Sequence, residues 1–327
     1  MTRIVIAKVS DHAWSDLAVE QAILGADTEL VPLLCADSEE LLISVCRAAD
    51  VVLTDLAPLT RRVISELHRC QLISIAGTGY SNVDMEAAKE ANISVCAIEE
   101  YCTDEVADHV MLMTLTLCRR LLEYHYQVQE KKLWLPASLT GLSRLRDMTM
   151  GIVGFGRIGR AVAERARGFG MTILAHDHQV GTNATHDAGV RFCDLPTLLA
   201  NSDVISLNCS MSPENRNLIG ADAFEQMSRQ PILINCARGE LIDEDALVAA
   251  LDRGQISGAG LDVLCGEPPD LDNSRFMGRS NVIVTPHVAF NSDMSVSASR
   301  GISARNIRNF LDGRHENVRQ YVHQVLN

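Results

Sequence analysis

Apolar and polar positions along this chain switch repeatedly between two periods. "RIVIAKV" is a β-branched, apolar run, and "DLAVEQAIL" after it places its apolar residues at helical spacing. The exchange recurs. "DVVLTDLAPLT" predicts a strand and loop, "RRVISELHRC" a helix, "QLISIAGTG" a strand, "VDMEAAKEAN" a helix and "ISVCAI" a strand. Alternation of this kind predicts α/β architecture with parallel sheets. These opening segments amount to a small α/β unit of their own.

From Asp104 the pattern changes. "DEVADHVMLMTLTLCRRLLEYHYQVQ" keeps the helical period for far longer than the earlier helices and suits a domain connector or a dimer-forming helix. A loop, "KKLWLPASLTGLSRLRD", follows, and α/β alternation then resumes through Val288. The tail "MSVSASRGISARNIRNFLDGR" is apolar at 294, 296, 302, 307, 310 and 311, roughly helical spacing. A terminal helix needs an apolar surface to cover. It is expected to cross back to the first unit, making that domain discontinuous.

At 327 residues the chain exceeds the usual size of one hydrophobic core, so two domains are expected. Lys and Arg total 29 against 42 Asp and Glu, a net charge of −13. That balance argues against nucleic-acid or anionic-membrane partners, which demand a basic face. Ten cysteines form no CxxC pair, and most sit in apolar runs, the usage of reduced thiols in a cytoplasmic protein with no metal framework. The apolar run at the N-terminus is too short for a signal peptide, and "VMLMTLTLC" is far short of a membrane span.

"TMGIVGFGRIG" carries glycines at 154, 156 and 159 between a predicted strand and a predicted helix. The first permits a tight turn, the second lets backbone approach a pyrophosphate, and the third lets helix pack on strand. The helix N-terminus, with Arg157 and Ile158, then supplies unpaired N–H groups to phosphate. "MTILAHD" ends on Asp177, 18 residues after Gly159, where a carboxylate accepts hydrogen bonds from an adenosine ribose and repels a 2′-phosphate. NAD is therefore expected over NADP. His176 and His178 flank Asp177 and blur that preference if protonated.

Three later strand ends carry chemistry: Arg238 in "PILINCARGELID", Asp262 and Glu267 in "ISGAGLDVLCGEPP", and His287 in "NVIVTPHVAF". Arginine can bind a carboxylate and polarise a ketone. Histidine can exchange a proton with the nascent alkoxide, and a neighbouring carboxylate orients its ring. Taken singly, a strand-end arginine or a lone histidine is more often structural.

Together, "GIVGFGRIG", "NCARGELIDEDAL", "GAGLDVLCGEPP" and "VTPHVAF", with "AGTGYSNVDMEAAKEANISV" and "YCTDEVADHVM" before them, resemble the D-isomer-specific 2-hydroxyacid dehydrogenases over essentially the whole chain. The resemblance implies a flavodoxin-like substrate domain at 1–100 and 293–327 and an inserted NAD-binding domain at 101–292. It implies a cleft between the two and, usually, a homodimer. It makes Arg238 the carboxylate and carbonyl ligand, His287 the acid/base and Glu267 its partner. The amides of Thr78 and Gly79 would hold the substrate carboxylate. Thr103, Cys209, Ala237 and Asp262 join the glycine loop around the cofactor, Asp262 near the nicotinamide carboxamide.

Details narrow the expectation. Formate-oxidising members carry glutamine at the position of Glu267. Asp55 stands in a loop where phosphoglycerate-type members carry arginine, which disfavours a phosphorylated substrate. "YCTDEVADH" and "TPHVAFNS" lean towards the branch of the C-terminal binding proteins, whose tryptophan is replaced here by Phe290, a candidate wall of the substrate pocket. The expected activity is reversible reduction of a small 2-keto acid by NADH to a D-2-hydroxy acid. An NAD(H)-sensing corepressor-like protein and a phosphite-type dehydrogenase are the alternatives. The few residues after the last predicted helix favour the enzyme over the corepressor.

Overall fold

The β-branched opener forms a strand one in from the edge of a largely parallel sheet. A computed structural model describes residues 1–8, 16–34, 38–180 and 189–325. Cys35, one of the ten thiols, lies outside them. The chain divides into Met1–Tyr101 with Asn291–Asn327, and Cys102–Phe290.

The first unit begins β1 (Thr2–Lys8), α1 (Ala18–Leu24), β2 (Thr28–Leu34), α2 (Glu39–Cys46), β3 (Val51–Thr54), α3 (Arg61–Ser65), β4 (Leu72–Ile75), α4 (Met85–Glu90) and β5 (Ser94–Cys96). Ser38, Thr60 and Asp84 cap α2, α3 and α4 by accepting a first-turn amide. The strands run parallel in the order β2-β1-β3-β4-β5, the flavodoxin-like arrangement. Asn82 ties the loop after β4 to the loop after β3, donating to the carbonyls of Asp55 (3.3 Å) and Ala57 (3.0 Å).

The second unit contains α5 (Thr103–Cys118), α6 (Leu121–Gln129), β6 (Thr149–Val153), α7 (Arg157–Gly168), β7 (Thr172–His176), β8 (Val190–Phe192), α8 (Leu195–Asn201), β9 (Val204–Leu207), α9 (Ala221–Glu225), β10 (Ile232–Asn235), α10 (Glu244–Asp252), β11 (Gly258–Leu261) and β12 (Val282–Val284). Its seven strands are parallel, in the order β8-β7-β6-β9-β10-β11-β12. The direction of winding reverses between β6 and β9. An open α/β sheet binds its ligand at such a point, beyond the carboxyl ends of the strands.

The long period from Asp104 is two helices. Arg120 takes φ +49° between α5 and α6, and its guanidinium donates to both carboxylate oxygens of Glu123 (2.6 and 2.5 Å). Helical periodicity continues across the break because the apolar residues on either side still follow the same spacing; the backbone does not.

The tail completes the first unit with α11 (Asp293–Leu311) and β13 (Tyr321–His323). Ser292 and Ser295 form a reciprocal capping box at the start of α11. The helix buries Ala304 and Ile307 among Ile4, Ile6, Leu24, Leu53 and Leu72, one of the apolar clusters of that unit. β13 pairs antiparallel with β5, an exception to the expected parallel sheet. Among the described residues, no helix is long and apolar enough to cross a membrane.

Candidate active site

The glycine loop shows three separate physical demands. Gly154 has φ +89°, and a Cβ there would stand 2.6 Å from the Cys209 amide nitrogen, so the loops after β6 and β9 touch backbone to backbone. Gly159 lies on the first turn of α7, where a Cβ would run into the Gly154 carbonyl. Gly156, the N-cap of α7, has an ordinary φ of −74°, and a Cβ there would meet nothing within 4 Å. The first and third glycines are needed by the fold itself. The second keeps clear the space in front of the first-turn amides, a cradle that suits a dinucleotide pyrophosphate. Arg157 and Ile158 are the first two residues of α7.

Asp177 follows β7 and reaches back to this loop. Its Oδ2 accepts the Phe155 amide at 2.8 Å and its Oδ1 the Gln179 amide at 2.9 Å. Partial burial pushes its pKa up, but the amides of Gln179 and Phe155, together with the neighbouring His178 and His176, outweigh it, and the carboxyl is held below its ordinary value. It presents a full negative charge beside the nucleotide loop. The fit to a nicotinamide dinucleotide is good on this side.

The chemistry-bearing residues gather at the carboxyl ends of β10, β11 and β12. Asn235, fully buried at the end of β10, accepts the Ala237 amide (3.0 Å) and donates to the Arg238 carbonyl (2.8 Å), fixing the turn that carries Arg238. The guanidinium of Arg238 donates to the Ala237 carbonyl at 2.6 Å. A Cβ at Gly239 would collide with the Leu264 carbonyl, so this turn packs directly on the loop leading to Glu267. The Oε1 of Glu267 accepts the Leu264 amide at 3.2 Å, and its Oε2 lies 2.6 Å from His287 Nδ1. An ionised carboxylate can only accept, so Nδ1 carries the proton and Nε2 is left for exchange with a substrate.

His287 sits at φ +53°, an uncommon conformation for a residue with a Cβ. Asp262 holds it there. The Asp262 carbonyl accepts the His287 amide at 2.8 Å, and its carboxylate accepts the amides of Val288 and Ala289, both at 2.9 Å. At 1% exposure, Asp262 is a buried carboxylate satisfied by the turn it supports. Phe290 places its ring 6.3 Å from that of His287, edge to face. Thr103 opens α5, and Cys209 follows β9, its thiol pushed up to about 11 by burial.

The structure thus brings together Arg238, Asp262, Glu267, His287 and Phe290, and separately Gly154, Gly156, Gly159, Asp177 and Cys209. Thr78 and Gly79 belong to the first unit, in the loop after β4. Sequence reasoning missed Asn235 as the support of Arg238, and it missed His109 and Thr285, which bond to one another at 3.1 Å and, through Thr285, to Asp262. A buried asparagine closing an apolar strand was a signal for the first. For His109 the signal was weak, an imidazole on the inner side of an apolar helix.

Residues 111–289 match the family model described as D-isomer specific 2-hydroxyacid dehydrogenase, NAD binding domain. The chain belongs to the D-isomer-specific 2-hydroxyacid dehydrogenases. A hydroxypyruvate reductase of Blautia hydrogenotrophica is 34% identical over 94% of this chain and 95% of its own. A glycerate dehydrogenase of Methylorubrum extorquens is 34% identical over 83% and 86%. The crystal structure of D-lactate dehydrogenase from Aquifex aeolicus, complexed with NAD and lactic acid, superposes with a TM-score of 0.85 at 27% identity, covering 99% of each chain. The protein is an NAD-dependent oxidoreductase acting on a CH–OH group, with two Rossmann-like domains.

Proposed function

We propose that this dehydrogenase reduces a small, non-phosphorylated 2-keto acid to its D-2-hydroxy acid, reversibly, with NADH preferred over NADPH. The observation that carries the reading is the 2.6 Å pair of His287 and Glu267 on a loop packed against the Arg238 turn. When bound, the nicotinamide supplies the hydride for reduction, or takes it in the reverse direction. Arg238 binds the substrate carboxylate and polarises the carbonyl. His287 delivers a proton from Nε2 to the developing alkoxide and removes it in oxidation. Glu267 keeps the ring in the required tautomer and stabilises the imidazolium. Phe290 lines the side-chain pocket.

The glycine loop with Arg157 and Ile158 would hold the pyrophosphate, and Asp177 the ribose. Thr103, Cys209, Ala237 and Asp262 would border the rest of the cofactor. With three of its acceptor positions taken by Thr285, Val288 and Ala289, Asp262 retains one for a carboxamide N–H. The amides of Thr78 and Gly79 are assigned to the substrate carboxylate on the resemblance alone. Asp55 after β3, in place of a cation, supports a substrate without phosphate.

The quaternary reading is a homodimer formed through α6 and the segment after it. α6 buries none of its nine residues, and Leu121, Leu122, Tyr126, Leu133, Trp134 and Leu135 are exposed, Trp134 at 83%. So short a helix is marginal without a covering surface, and a second copy offers a self-complementary one. Among the described residues the cysteines are free thiols, which supports a cytoplasmic location.

A panel of 2-keto acids with NADH, hydroxypyruvate, glyoxylate and pyruvate first, tests the activity. Turnover of at least one supports it. Tight NADH binding without turnover of any would favour a cofactor-sensing protein.

A further inference from the structure

The geometry points to His109 as a positioning residue that acts on His287 through Thr285 and Asp262; the inference rests on the dehydrogenase reading above. His109 lies on α5, which packs on β10 and β11. Its Nε2 stands 3.1 Å from Thr285 Oγ1 and 3.6 Å from Asp262 Oδ1. Thr285 Oγ1 in turn donates to Asp262 Oδ1 at 2.5 Å, a length typical of a hydroxyl on a carboxylate.

A threonine hydroxyl has one proton. Because Asp262 receives it, Oγ1 can only accept from His109, so Nε2 is the protonated nitrogen of that ring. The chain of donors therefore runs in one direction, from His109 to Thr285 to Asp262. Asp262 is also the acceptor for the amides of Val288 and Ala289, next to the strained backbone of His287. The two oxygens thus bind three partners in a fixed arrangement, a hydroxyl and two amides, with the imidazole behind the hydroxyl. If His109 cannot donate, the Thr285 hydroxyl gains an unmet acceptor and a second rotamer. Asp262 is then held less firmly, and the turn presenting His287 departs from the reactive geometry. No part of this relay touches substrate.

The test compares His109→Leu, His109→Gln, Thr285→Val and the double variant His109→Leu/Thr285→Val. The glutamine amide restores a donor near the place of Nε2. Expected are a fall in kcat of about ten- to hundredfold in His109→Leu and in Thr285→Val, with the Kd of NADH changing much less than kcat. His109→Gln recovers most of it, and the double variant falls no further than either single one. Unchanged kcat in His109→Leu, equal loss in His109→Gln, or losses that multiply in the double variant would each overturn the relay. A readout free of activity is the ¹⁵N spectrum of histidine-labelled enzyme, with His109 assigned by its loss in His109→Gln. A protonated Nε2 is expected, and a bare Nε2 overturns the proposal even if His109→Leu fails to fold. Should the wild type turn over no 2-keto acid, the dehydrogenase reading fails, and this spectrum still decides the relay.

Discussion

Glu267 is bonded in two directions: one carboxylate oxygen accepts the Leu264 amide at 3.2 Å, the other meets His287 Nδ1 at 2.6 Å. The backbone therefore aims the carboxylate, and the carboxylate aims the imidazole. His287→Gln should lower kcat by about 10²–10⁴-fold, the range for loss of a general acid/base, with the Kd of NADH by fluorescence unchanged. Glu267→Ala should show a smaller kcat loss in the same assay. A larger effect of Glu267→Ala than of His287→Gln contradicts these roles.

Gly156 and Gly159 should separate cleanly. Gly156→Ala enters open space at an ordinary φ, so its Tm should match the wild type. NADH affinity should fall tenfold or more, about 1.4 kcal/mol. Gly159→Ala collides with the Gly154 carbonyl and should lower Tm even without cofactor. Calorimetry and NADH titration of both variants check the pair.

Asp177→Ala should relax discrimination against NADPH, read as the ratio of kcat/KM for the two cofactors. A wild type that already prefers NADPH contradicts the assignment. The carboxyl's depressed pKa also predicts a sign for stability. Its contribution is full above the unfolded value of about 3.9 and is lost as pH falls through the lower folded value. The Tm gap between Asp177→Asn and wild type should be greatest near neutrality and close in strong acid.

Arg300 on α11 forms a bidentate pair with Glu20 on α1, both contacts at 2.7 Å, with Glu20 fully buried. Arg300→Met strands a buried carboxylate and should cost about 3–5 kcal/mol in denaturant unfolding. Adding Glu20→Leu should restore most of it. A double variant as unstable as the single one would show that the arginine matters by packing.

The exposed apolar arm predicts association. Light scattering should give a dimer for the wild type. Tyr126→Glu with Trp134→Glu should shift it towards monomer. A wild-type monomer, or a double variant that stays dimeric, rules out this face.

Much of the site was legible because its residues follow strand ends. Apolar runs ending in "NCARG", "LDVLCGE" and "VTPHV" locate Arg238, Glu267 and His287 once the sheet is parallel. The break at Arg120 was not legible, since a left-handed residue leaves the apolar spacing around it intact. β13 was also missed: three residues carry too little periodicity, and an antiparallel edge depends on where the chain returns. The sequence by itself determined the alternation, the nucleotide loop and the reacting side chains, because those are local consequences of residue type and spacing. Only the tertiary structure decided which groups support them. Asn235 under Arg238, Asp262 under the His287 turn, and His109 with Thr285 behind Asp262 are contacts made mostly between separate elements, and hydrogen bonds across a fold leave no periodic trace in the chain.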